Sequence, residues 1–410
     1  MTEMNHPTLA TPVAAPATFA GDPKGGGKAH IKILGYRDAQ SQLLRDNVLA
    51  ALEAFPMPNK LTEVTEPNAI AEMGVDSTPA LLLDGQLLAK GRVPSVEEIA
   101  QLFQERYLQR SKLHHLRKVA VAVDISATAD SALRFAWHIA KQVGADIEVV
   151  YAMDSIFDGH TPSASGFLSS YQRTMQVELD AFIRDTLSPL GVKYEAPAPG
   201  APGHSEAAEG QPILASKVVY GFPDVALEDY SKTADLLVMG TTGRGGIGKK
   251  LFGSISTEVS KRAHCPVLLV PPDAEYRGLK NMLYASNFDS LSTLRIQQAI
   301  SFARHFGGQV HFVHVGPGGE KGAALERKLF ESSYHEAHTD QPFLFAKMVS
   351  DDVTGALYEY AFYHRIEMMV FVTHQRSFWE TMLHHSITHE AAVSTDLPML
   401  IIHSDDDMIK

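Results

Sequence analysis

A single cysteine, Cys265, stands among 410 residues, so no internal disulfide can form. Such sparing use of sulfur points to a reduced, cytoplasmic protein. Cys265 lies in Ala-His-Cys-Pro-Val ahead of the apolar run Val267 to Val270, the setting of a small buried side chain. Positive charge is also scarce. Lys and Arg number 36 against 48 Asp and Glu, a net charge of −12. That balance argues against the basic stripe of a nucleic-acid binder. No segment approaches the roughly 20 consecutive apolar residues of a membrane span. The stretch from Met1 to Gly21 lacks both a basic segment and an apolar core, so it does not read as a signal peptide. There is no HExxH, and no cysteine near His384, His385 and His389, so their i,i+4 pair is not read as a zinc site.

What is present is an ordinary globular composition, 45% apolar and 20% charged, in a chain long enough for two to four domains. Residues 1–28 are rich in Ala, Pro, Thr and Gly and read as a flexible tail. Residues 29–110 form a small α/β unit. It has a strand at Ile31 to Leu34, a helix at Ser41 to Phe55, and two strands flanking the hairpin signal Asp84-Gly85. A last helix is capped by Ser95. From 116 to 272 strands and helices alternate. The strands are Val119 to Val123, Ile147 to Met153, Lys217 to Tyr220, Asp235 to Met239 and Val267 to Val270. A low-complexity loop, Glu195 to Gln211, interrupts them. From 278 to 404 the same order recurs, with Ser254-Ile255-Ser256 answered by Ser386-Ile387-Thr388 and Cys265-Pro266-Val267 by Leu397-Pro398-Met399. The near-constant spacing reads as an internal duplication. Alternating strands and helices imply parallel, doubly wound sheets.

The segment most telling for function is Gly240 to Ser254, GTTGRGGIGKKLFGS, which follows an apolar strand and precedes a helix. A strand ending in glycines, with a Gly-Ser pair opening a helix, builds an anion pocket from backbone N–H groups and points to a nucleotide phosphate. Gly243 to Lys249 also fits GxxxxGK, but Lys250 stands where a Walker loop needs the Ser or Thr that holds Mg²⁺. A plain structural turn is the third reading.

Asp235 to Gly246, Gly253 to Ser256, His264 to Val267 and the opening Val121-Ala122-Val123-Asp124-Ile125-Ser126 resemble the universal stress protein family. The resemblance is strong over 116–272 and weak over 278–404. It implies two Rossmann-like domains in tandem and an adenine nucleotide, ATP with Mg²⁺, at the carboxyl ends of the strands. By position, Asp124 would face the adenosine and Ala152 would line the base pocket. Met239 and Gly240 would lie against the ribose, and Gly243, Gly253, Ser254 and Ile255 would hold the phosphates. Arg244, Lys249 and Lys250 would add positive charge. A cap on the following helix is the rival role for Asp124.

The later copy departs from the pattern at each anchor. Asn287 replaces the aspartate, Val372 and Gln375 replace the paired glycines, and His385 precedes Ser386. It is expected to bind no ATP and to serve as the first copy's pseudo-symmetric partner. An intramolecular pseudo-dimer and a further homodimer are expected. In the N-terminal unit, Gly74 to Leu81, Asp84-Gly85 and Gly91 to Ser95 resemble small thioredoxin-like domains, which implies a cis peptide before Pro79. Asp38-Ala39-Gln40-Ser41 occupies the CxxC place, so thiol–disulfide exchange has no thiolate to run on. A docking or dimerising module is the remaining role.

The functional expectation is an ATP-binding stress sensor or regulator. Two alternatives stand beside it: a slow ATPase or phosphotransferase in the same pocket, and a structural adaptor that binds no nucleotide. No paired carboxylate or Ser/His/Asp set lies in the loop, so no catalytic residue is named.

Overall fold

The computed structural model describes residues 29–54, 57, 59–126, 129–154, 162–196, 211–241, 253–286, 293–316, 343–372 and 397–403. Its described residues fall into two compact units, one of residues 29–45 and 59–93 and the other of residues 46–57 and 94–403.

The smaller unit carries a four-stranded sheet in the order β2-β1-β3-β4. Its strands are β1 (Ala29–Leu34), β2 (Asn59–Val64), β3 (Ala80–Leu83) and β4 (Gln86–Lys90). β1 pairs parallel with β2 and antiparallel with β3. β3 and β4 form a hairpin whose two turn residues, Asp84 and Gly85, have φ of 51° and 80°. Those are the left-handed conformations that a type I′ turn demands, hence the Asp-Gly pair. Leu34, Ile70, Val75, Ala80 and Leu82 form its core on the side of α2 (Pro67–Glu72). The Thr78–Pro79 peptide is cis, as the resemblance implied.

Helix α1 (Ala39–Ala54) opens where the two cysteines of a CxxC would lie. Asp38 now caps it: its carboxylate accepts the Ser41 amide at 2.8 Å. That bond is the main reason its carboxyl sits below the usual carboxylate range. A charge remains at the helix N-terminus, but it belongs to a carboxylate, which does no disulfide exchange.

The larger unit contains α3 (Val96–Arg110), whose N-terminus Ser95 caps by accepting the Glu98 amide at 3.2 Å. Its ten-stranded sheet runs β12-β11-β10-β13-β14-β9-β8-β5-β6-β7. The first half comprises β5 (Lys118–Val123), β6 (Asp146–Met153), β7 (Leu214–Tyr220), β8 (Leu236–Gly240) and β9 (Val267–Val270). The other half comprises β10 (Asn281–Ser286), β11 (Gln309–Gly316), β12 (Phe343–Val349), β13 (Met368–Val372) and β14 (Met399–Ile402). Within each half all neighbours are parallel, and strand order is the same in both. The halves meet where β9 and β14 pair antiparallel, Leu268 opposite Leu400.

Strands such as Lys-Val-Ala-Val-Ala-Val are nearly all buried because helices cover both faces of a parallel sheet. α4 (Ala129–Val143), α5 (Pro162–Leu187) and α8 (Thr293–Arg304) pack on one face. α6 (Pro223–Ser231), α7 (Ser254–Arg262) and α9 (Val353–Tyr363) pack on the other. α4 shows the logic most plainly. Leu133, Ala136, Trp137 and Ala140 line its buried stripe, and Gly144 ends it at φ 71°.

Two local devices repeat between the halves. Asp235 accepts the amides of Arg117 and Lys118 and so ties the start of β8 to the start of β5. Glu367 accepts the amides of Lys280 and Asn281 and does the same for β13 and β10. The connections are also reciprocal. The segment before β5 lies by the end of α8, where His305 Nε2, one residue past the helix, donates to the Leu113 carbonyl at 3.0 Å. The segment before β10 lies on α4, where Tyr276 stacks on His138 with ring centres 4.8 Å apart.

Candidate nucleotide site at the carboxyl edge of the sheet

In the order β9-β8-β5-β6-β7 the chain leaves β5 toward β6 and β7, then returns to β8 on the other side. The switch between β5 and β8 opens a crevice beyond their carboxyl ends, where open α/β sheets take ligands. Register sets the height of the residues there. Val123 pairs with Tyr151, Ala122 with Met239, and Ala152 with Val219. One step on, Asp124 follows β5 level with Ala152 on β6, and Gly240 lies level with Val123 on β8. The structure therefore gathers Asp124, Ala152 and Gly240 along one edge.

Asp124 is half-buried and sits in a tight turn. Its carboxylate accepts the Ser126 amide at 3.2 Å and also the Ser126 hydroxyl. Between them Ile125 has φ 57°, a conformation unfavourable for a β-branched side chain. The first turn of α4 forms through the Ala129 amide and the Ser126 carbonyl at 3.0 Å. The bonds shown for Asp124 thus hold the turn before α4. Met239 keeps its side chain in the core on the α6–α7 face, with 5% exposure, leaving its backbone at the edge. Ala152 packs on the same core from a partly buried position.

α7 begins at Gly253, an N-cap with extended backbone (φ −74°, ψ 159°) and no side-chain cap bond. Ser254 and Ile255 are exposed in its first turn, Ile255 to 41%. The N-terminus is pinned against β8. The Gly253 amide donates to the Thr241 carbonyl at 2.6 Å, and the Ser256 hydroxyl donates to the same carbonyl at 3.0 Å. Ser256 is 4% exposed and was not singled out as a site residue in the sequence. The buried Thr241 hydroxyl has no hydrogen-bond partner among the described residues. At its far end α7 is clamped to α6 by Arg262, which reaches Asp224 at 2.8 Å and Glu228 at 3.2 Å. What results is a helix start held against β8 at the carboxyl edge of the sheet, with no side-chain cap among the described residues, the kind of terminus that receives phosphate or carboxylate.

Gly243, Arg244, Lys249 and Lys250 lie outside the described residues, as do Asn287, Gln375, His384, His385, Ser386 and His389. In the other half, Met368 pairs with Met282 as Leu236 pairs with Val119, so Val372 takes the place of Gly240; it is buried. Among the described residues no group of three or more His, Cys, Asp or Glu is placed to hold a metal ion. None of their helices is long and apolar enough to cross a membrane.

Comparison with known proteins identifies two families in the chain. The family profile described as the Universal stress protein family matches residues 115–271, and the Thioredoxin domain profile matches residues 29–104. A universal stress protein of Methanocaldococcus jannaschii is 34% identical over 156 residues, 38% of this chain and 81% of that protein. A thioredoxin of Methanothermobacter thermautotrophicus is 33% identical over 72 residues, 18% of this chain and 94% of that protein. Among solved structures, a universal stress protein from Archaeoglobus fulgidus aligns with a TM-score of 0.49 and 15% identity, covering 70% of this chain and 98% of that one. The chain belongs to the universal stress protein family and carries a thioredoxin domain ahead of its universal stress protein domain.

Proposed function

We propose that the chain binds ATP, together with Mg²⁺, in one pocket of the 115–271 domain and acts as a cytoplasmic stress sensor or regulator. The observation that carries the reading is the uncapped N-terminus of α7, pinned to the end of β8 across the crevice from Asp124. Backbone amides of Ser254 and Ile255 would take the phosphates, Gly253 would let them approach closely, and Gly243 and Arg244 would add to the site. Gly240 admits the ribose because it has no Cβ. Asp124 and the backbone of Ala152 would face the adenosine. Mg²⁺ is carried in on the phosphates.

The 278–404 segment is a second, degenerate copy in this reading. Its strand order and its Glu367 clamp support that descent, and Val372 supports the loss of its nucleotide. The two copies form the intramolecular pseudo-dimer. A homodimer of whole chains, also expected, must then use surfaces other than the paired β9 and β14 edges. The thioredoxin domain serves as a docking or dimerising module, since Asp38 and Ser41 hold the places of its cysteines.

The test is to purify the protein and identify any co-purifying small molecule by mass spectrometry, then titrate it with MgATP. One nucleotide per chain is expected. Two equal sites would overturn the degenerate copy, and none would overturn the sensor reading in favour of a structural adaptor. Loss of γ-phosphate over hours, abolished by Gly253→Val, would show that the pocket hydrolyses ATP.

A further inference from the structure

α7 carries the phosphate cradle at its first turn, and a residue from the other half holds its last turn. His403 follows β14 and is 5% exposed. Its Nε2 lies 2.9 Å from the Ser260 carbonyl of α7. A carbonyl only accepts, so the ring proton is on Nε2. Ser260 has this carbonyl to spare because the helix ends just beyond it. The amide that would have bonded to it, His264 N–H, turns away to the Ser231 hydroxyl at 2.7 Å. The Ser260 hydroxyl donates to the Ser256 carbonyl at 2.7 Å, and the Ser256 hydroxyl donates to the Thr241 carbonyl at 3.0 Å. Every link in this series is buried. It runs from His403 just after β14, through α7, to Thr241 just after the cradle strand β8.

We propose that His403 and Ser256 are positioning residues for the nucleotide site: the half that lacks the glycines fixes, through His403, where α7 presents its N-terminal amides. Neither side chain touches the ligand. His403 sets the axial position of the helix, and Ser256 sets the gap between its first turn and β8. A helix start is useful to phosphate only when its amides are preorganised, because amides free to move must be ordered on binding. The degenerate half therefore contributes to the site mechanically.

The affinity readout rests on the ATP reading above, so a second readout is needed that does not. The experiment uses the full chain, with MgATP titrated calorimetrically and amide exchange followed at Ser254 to Thr257 without nucleotide. His403→Ala should weaken ATP binding by about three- to tenfold, the worth of one buried hydrogen bond. It should also speed exchange at those amides. His403→Gln places an amide donor near the Nε2 position and should restore most of both. Ser256→Ala should behave like His403→Ala while His403 is intact. If His403→Ala does not fold, His403→Phe keeps the ring volume without the donor and is read in the same way. Unchanged affinity and unchanged exchange in His403→Ala and Ser256→Ala would overturn the proposal while leaving ATP binding intact. If the natural protein takes no ATP, the nucleotide reading falls, and exchange at α7 alone decides whether His403 positions the helix.

Discussion

The amide of Gly253 donates to the carbonyl of Thr241 at 2.6 Å, so a helix start and a strand end with eleven residues between them in the sequence are fixed to each other directly. The first turn of α7 therefore takes its position from β8 itself.

Gly253 and Gly240 are the two described glycines that the proposed ATP site would use. Gly253→Val and Gly240→Val should each weaken ATP binding by about tenfold or more. Gly240→Val gives the first half the residue that Val372 supplies in the other. Valine is a poor N-cap, so Gly253→Val should also cost about 1 kcal/mol of stability. Calorimetric titration alongside thermal melting checks both effects. Full affinity in Gly253→Val would move the phosphates elsewhere, and full affinity in Gly240→Val would move the ribose.

Stability should fall on acidification from neutral pH. Desolvation holds His114, His138, His264 and His311 below the usual histidine range, and His311 is taken to about 4. A depressed histidine binds fewer protons folded than unfolded, so stability rises with pH between the folded value and about 6.5. The contribution is complete above 6.5 and is lost progressively below it. His311 alone should account for on the order of 2 kcal/mol between pH 7.5 and pH 5. Urea midpoints at the two values measure it, and His311→Gln should flatten that part of the dependence.

The paired clamps give a test of the repeated architecture. Asp235→Ala frees the amides of Arg117 and Lys118, and Glu367→Ala frees those of Lys280 and Asn281. Each should cost about 1–3 kcal/mol, with similar values in the two halves. Chemical denaturation of the two variants and the double variant checks this. Additivity is expected because the sites share no partner.

Cys265 should be inert in the folded protein. It is 2% exposed, and burial pushes its thiol up to about 12. Alkylation proceeds through the thiolate, so native protein should label only through opening of the fold. Labelling followed by mass spectrometry should show a rate that tracks global stability. Rapid native labelling would contradict the buried position.

Local rules recovered many elements from the sequence. The hairpin that Asp84-Gly85 predicted forms as β3–β4, and β9 matches the expected Val267 to Val270 residue for residue. Other elements lack a pattern of their own. β2, Asn-Lys-Leu-Thr-Glu-Val, has no buried residue and is a strand because β1 pairs with it. β12 is an edge strand with Leu344 and Val349 exposed, so its apolar residues do not alternate cleanly. The short α2 also went unread. Around the candidate site, the sequence pattern expected a strand ending at Gly240 and a helix opening after Gly253, and both form. Ser256 and His403 were not legible. Their partners lie 15 and 143 residues away, and a hydrogen bond at that range leaves no local trace. The network in which Tyr194 and Ser216 donate to Asp180, at 2.7 and 2.6 Å, was unreadable for the same reason.

The antiparallel seam of β9 and β14 joins two segments of one polypeptide. A seam between separate molecules would come apart on dilution, whereas this one is maintained at any protein concentration by its tether. Mutations on the two sides are also inherited together. One side can then lose its own ligand chemistry and still be retained, so long as it continues to brace its neighbour.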